Sequence, residues 1–151
     1  MILLDTNVIA EAMKPDSDVR LRGWLDAQKA ETLYMTSISI AELLTGIAAM
    51  PGGKPKDELA KALDRTLQVF SARILTFNTI AAWSYADLSV KMKNRKKSYA
   101  VTDLYIGAIA SANGLTIASR SVAIFSSLDV PVICPWSTVS PVITNGTDLR
   151  L

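Results

Sequence analysis

The chain has 151 residues, half of them hydrophobic and a fifth charged, with a formal net charge of +2. That composition describes one globular domain with a sizeable core, not a disordered chain, and the charge is too small to argue for nucleic acid by itself. Histidine is absent and there is a single cysteine, Cys134; this excludes Ser-His-Asp and Cys-His nucleophile systems, histidine-containing zinc sites and an internal disulfide.

In chain order, Ile2 to Leu4 reads as a short buried strand that ends on Asp5. A helix is expected from about Asn7 to Met13, stopped by Lys14-Pro15, because proline disfavours helix in the residue before it. Asp16 or Ser17 is the expected cap of a second helix through about Gln28. Thr32 to Met35 is a strand candidate, and Thr36 or Ser37 caps a helix carrying Ile40, Leu43, Leu44 and Ile47. Pro51-Gly52-Gly53 breaks the chain. Leu59, Leu63, Leu67 and Phe70 then form an amphipathic ladder over residues 56–70.

Arg73 to Phe77 is another short strand, and Asn78 or Thr79 caps a helix through about Lys93. Thr102 is the expected cap of a helix through Asn113, stopped at Gly114. Leu115 to Ala118 is a strand, Val122 to Phe125 a helical turn, and Val130 to Cys134 a last strand. Short strands alternating with longer helices indicate an α/β fold, a mainly parallel sheet with helices on both faces. The tail 137–151, rich in Ser, Thr, Pro and Asn, reads as an extension outside the core, flexible or contact-forming. No basic leader precedes Asp5 and no segment reads as membrane-spanning. With its lone cysteine, which lies in an apolar run and is expected in the core, the chain fits a reducing cytoplasm.

Three acids stand in apolar surroundings. Asp5 closes a buried strand, where it serves either as a helix cap or as a ligand. Glu42 interrupts Ser37-Ile38-Ser39-Ile40-Ala41-Glu42-Leu43-Leu44, and Asp103 opens the run Leu104 to Ala110. Acids favour helix N-termini by a few tenths to about 1 kcal/mol, so Asp103 alone is a weak signal. Converging carboxylates would raise one another's pKa, and a divalent cation would remove that repulsion. Oxygen ligands without nitrogen or sulfur suit Mg²⁺ or Mn²⁺, which can activate water without histidine. Asn7 stands where a phosphotransferase of the Asp-x-Asp type has its second acid, which argues against that chemistry.

The run Lys91-Met92-Lys93-Asn94-Arg95-Lys96-Lys97 is either a solvated helix end or a phosphate-tracking patch, which Tyr99 and Arg120 could join. Trp24, Trp83 and Trp136 read as core or interface residues and not as base-stacking ones.

Four segments, residues 1–9, 37–43, 102–110 and 132–136, together resemble the PIN-domain toxins of the VapC/FitB type, and the likeness runs from Met1 to Trp136. The resemblance implies a three-layer α/β/α PIN domain over residues 1–136. It also implies a Mg²⁺- or Mn²⁺-dependent endoribonuclease, a homodimer, and a small antitoxin partner. The family's first three acids carry over to Asp5, Glu42 and Asp103, with Thr6 or Asn7 supporting the first by hydrogen bonding. There is a departure. Where the family has Arg-Asn-x-x-Asp-Phe, this chain reads Arg120-Ser121-Val122-Ala123-Ile124-Phe125. Ser121 can give only a neutral contact, and Ile124 cannot bind a cation. A degenerate domain that keeps its partner but has lost turnover is therefore the rival expectation.

Overall fold

The computed structural model describes residues 1–95 and 98–137. Its elements are β1 (Ile2–Leu4), α1 (Thr6–Ala12), α2 (Val19–Asp26), β2 (Leu33–Thr36), α3 (Ser37–Ala49), α4 (Lys54–Phe70), β3 (Ile74–Leu75), α5 (Thr79–Asn94), α6 (Val101–Ala112), β4 (Thr116–Ala118), α7 (Val122–Ser127) and β5 (Val132–Ile133). The five strands form one sheet in the order β3-β2-β1-β4-β5, and every neighbouring pair is parallel. Parallel pairing requires crossover connections, which the helices supply.

Side chains alternate across a strand, and here both faces are buried. Leu3 and Ile117 point into a core formed with Leu88, Met92, Leu104, Ile106, Phe125 and Leu128. Leu4 and Ala118 point into the opposite core, with Val8, Leu21, Leu43, Ile47 and Leu63. The sheet is thus sandwiched between α5, α6 and α7 on one side and α1 to α4 on the other, the expected three-layer α/β/α arrangement.

The caps decide where the helices begin. Thr36 accepts from the Ser39 N–H and Asn78 from the Ala81 N–H, two of the expected caps. The second helix is capped by Asp18, not Asp16 or Ser17, because the Asp18 carboxylate accepts from the Arg20 N–H. The sixth starts one residue before Thr102, and Asp103 reaches back to the Ala100 N–H at 3.2 Å. Gly114 ends that helix at φ +63°, a left-handed conformation that glycine adopts without steric cost. The last strand is shorter than expected, two residues instead of five. Cys134 is half-buried against the second core. Trp24 packs partly buried there and Trp136 is buried, whereas Trp83 is exposed on α5. The expected extension beyond Ser137 lies outside the described residues.

Candidate active site

In open parallel α/β sheets, ligands bind outside the carboxyl ends of the strands, where the strand order reverses. β1 is the central strand here, and the chain leaves it first for β2 on one side and later returns to β4 on the other. Asp5 is the first residue past β1, and its N–H donates to the Ala118 carbonyl at 3.1 Å. Its side chain is buried, only 4% exposed, at that reversal point.

A buried carboxylate needs donors, and Asp5 has three on its side chain. The Thr6 N–H donates to Oδ1 at 2.8 Å. On Oδ2 converge the Asn7 amide at 2.7 Å and the Ser119 hydroxyl at 2.5 Å. The Asn7 amide also reaches Ser119 Oγ at 3.1 Å, and the Ser121 N–H donates to the same oxygen at 2.8 Å. Asn7 and Thr6 thus both support the first acid, Asn7 by its side chain and Thr6 by its backbone.

Glu42 lies on α3, half-buried, and its Oε2 accepts from the Thr6 hydroxyl at 2.5 Å. Asp103 lies in the first turn of α6 with one oxygen on the Ala100 N–H. Burial is the main cause that raises the Asp5 carboxyl above the ordinary range, and the charges of Asp103 and Glu42 add to it against the opposing hydrogen bonds. Asp103 is raised as well, by burial first and the Glu42 charge after it. The three acids, 98 residues apart from first to last in the chain, therefore share one electrostatic field.

Among the described residues, no three Asp, Glu, His or Cys side chains stand at metal-ligating separation. Each acid is turned onto a protein donor instead. The donor set still fits a hard cation. It is all oxygen, it is mutually repelling, and Glu42 Oε1 and Asp103 Oδ1 accept no hydrogen bond among the described residues. Mg²⁺ keeps several of its waters and takes one or two carboxylates, so a closed three-acid cage is not what it requires.

Ser119 is the residue of this cluster that local sequence reasoning missed. It is fully buried, one residue beyond β4. Ser121 contributes its backbone N–H, while its side chain makes no capping bond to α7. Ile124 lies half-buried on α7.

The basic run divides. Arg95 donates to the Ser127 carbonyl and pairs with Asp129 at 3.2 Å, and Lys91 pairs with Asp129 at 2.8 Å. These two cations clasp the end of α5 to the turn after α7. Lys93 is exposed, and Lys96 and Lys97 lie outside the described residues. Arg120 is different. Its guanidinium lies over the Trp136 ring, 4.1 Å from the centroid, and its backbone N–H donates to Asn7 Oδ1 at 3.3 Å.

Residues 2–126 match the family model described as PIN domain. The chain belongs to the PIN-domain family. Within it, the chain is 41% identical to the VapC ribonuclease Y4jK of Sinorhizobium fredii over 137 residues, 90% of this chain and 98% of the relative. It is 40% identical to toxin FitB of Neisseria gonorrhoeae over 137 residues, 90% of this chain and 99% of that one. This PIN domain also superposes on the crystal structure of FitAcB from N. gonorrhoeae with a TM-score of 0.83 and 40% identity, covering 90% of this chain and 99% of the other. The VapC/FitB resemblance of its motifs and the three-layer fold are thereby borne out.

Proposed function

We propose that this PIN domain is a divalent-metal-dependent endoribonuclease and the toxin of a type II toxin–antitoxin pair. The observation that carries the reading is the grouping of Asp5, Glu42 and Asp103 near the reversal point of the sheet, wider than metal-ligating separation but close enough for Thr6 to bond both Asp5 and Glu42 and for charge, added to burial, to raise Asp5 and Asp103. Relatives named a VapC ribonuclease and a FitB toxin, each matched over nearly their full length, support the same reading.

Asp5, Glu42 and Asp103 would hold Mg²⁺ or Mn²⁺, which, when bound, supplies a lowered pKa for water and neutralises phosphodiester charge. The chain's own groups do the positioning. Asn7 and Ser119 fix Asp5 in one rotamer, and the Thr6 hydroxyl fixes Glu42. Rigid placement of this kind lowers the entropic cost of reaching a reactive geometry.

In this reading, residues 1–136 are the PIN domain and 137–151 an extension of it. The partners are an RNA substrate, a small antitoxin and a second copy of the chain, and the setting is the cytoplasm. Among the described residues no helix is long and apolar enough to cross a membrane.

The test is cleavage of a structured RNA with Mn²⁺ by wild type and by Asp5→Asn. Loss of cleavage in the variant is expected, and equal activity in both rejects the reading. Ile124 motivates a second one, a degenerate domain that binds its antitoxin without turnover. Ile124→Asp separates the two: a large gain in Mn²⁺ affinity and rate favours degeneracy, and an unchanged rate shows that three acids suffice.

A further inference from the structure

A polyanion does not approach three carboxylates unless a cation receives it. Lys91 and Arg95 are held by Asp129, and Lys14 is held by Glu11 at 2.7 Å. Arg120 follows Ser119 directly, and its own N–H is bonded to Asn7, the residue that orients Asp5. Its side chain is about half exposed, 53%, and its only carboxylate neighbour among the described residues is Glu11 at 4.0 Å, the outer limit of an ion pair.

The platform beneath it is specific. Trp136 is 7% exposed, and its Nε1–H finds no hydrogen-bond partner among the described residues. Buried indoles usually satisfy that group. Here the ring offers its face, over which the planar guanidinium of Arg120 is laid. Glu11 meanwhile accepts from the Asp18 N–H through its other oxygen, which holds it at the edge of the same cluster.

We infer that Arg120, laid on Trp136 and steered by Glu11, is the positioning residue that receives an RNA phosphate neighbouring the scissile one. The inference rests on the ribonuclease reading and adds to it the platform and the counter-charge. Glu11 competes with the phosphate for Arg120 and Lys14, so it limits binding of nucleic acid to the site. Arginine suits the role because its fork meets phosphate oxygens in pairs, which lysine cannot reproduce.

The experiment measures cleavage of a labelled structured RNA with Mn²⁺ across a salt series, together with its binding by fluorescence anisotropy in EDTA. Arg120→Gln should raise KM about tenfold with kcat within about twofold of wild type, and should flatten the salt dependence of binding by about 0.7 in slope for single-stranded contacts. Arg120→Lys should recover the slope and only part of the KM. Glu11→Gln keeps the acceptor for Asp18 and should lower KM about two- to threefold as Arg120 and Lys14 are released. Wild-type KM and wild-type salt slope in Arg120→Gln overturn the inference whenever wild type itself cleaves. A variant that binds RNA normally and fails only to capture its protein partner overturns it too, by assigning Arg120 to that surface. If wild type does not cleave, it is the ribonuclease reading that fails, and the anisotropy series still decides whether Arg120 meets phosphate.

Discussion

The Ser119 hydroxyl donates to Asp5 Oδ2 at 2.5 Å, joining residues 114 positions apart. The contact exists because β4 lies directly beside β1, with Ala118 paired to Leu4. Removing it leaves a buried carboxylate short of one donor. Ser119→Ala should cost about 1.5–3 kcal/mol at neutral pH, typical of a hydrogen bond to a charged group. Urea unfolding at pH 7 and again at pH 4.5 checks this, with a smaller loss expected at the lower pH as the carboxyl takes up a proton.

Asp5 and Asp103 both bind protons more readily in the folded chain than in the unfolded one. Their contribution to stability therefore falls as pH rises from the ordinary carboxylate range through their raised folded values, and the penalty persists above them. The exposed ion pairs act oppositely: Asp18, held down to about 2 chiefly by its Arg20 hydrogen bonds, supports the fold above the ordinary Asp range and is lost only on acidification. Melting temperature in EDTA should thus rise modestly from pH 7 toward the upper edge of the carboxylate range, then drop in stronger acid. Mn²⁺ at pH 7 should recover the same gain by compensating the charge. A curve that only rises toward neutral pH contradicts this.

Asp103→Asn should stabilise the fold in EDTA, because relief of the partly buried charge outweighs the attraction to the helix N-terminus that is lost with it. An asparagine oxygen can still accept from the Ala100 N–H, while the repulsion with Glu42 disappears. The same variant should lose the Mn²⁺-dependent shift in melting temperature. Gain of stability with loss of metal response would mark a residue kept for function at a cost to the fold.

Thr6→Val keeps the shape of the side chain and removes the donor to Glu42. Calorimetric Mn²⁺ affinity should fall about tenfold, the lower end of the 10- to 100-fold range seen when groups supporting metal ligands are removed. Unfolding measured without metal should change by no more than about 1 kcal/mol.

Arg95→Gln tests the clasp between α5 and the turn at Asp129. It removes the donor to the Ser127 carbonyl and one of two cations on Asp129. Melting temperature should fall by a few degrees, with KM for RNA within about twofold of wild type. A large KM effect without loss of stability would instead return Arg95 to the nucleic-acid surface.

Much of this was legible in the chain itself. Asp5, Glu42 and Asp103 each interrupt an apolar run, and burial makes such interruptions conspicuous. Alternation of short strands and amphipathic helices carried the three-layer architecture. Thr102 misled because a hydroxyl before a helix is a good cap, yet Asp103 supplies the acceptor by reaching back to Ala100. Ser119 was invisible for another reason. A lone serine after a strand means nothing until the order of the sheet is known, and that order depends on long-range pairing. Likewise nothing near Arg95 announces Asp129, 34 residues further on.

Because every strand of the sheet runs the same way, the carboxyl edge of the sheet collects its acids from early, middle and late stretches of the polypeptide. A chain emerging from synthesis carries Asp5 well before the wall that seats it, which arrives only with Ala118 and Ser119. Products ending before that wall would leave Asp5 without its Ser119 donor, so the order of translation itself delays assembly of this cluster.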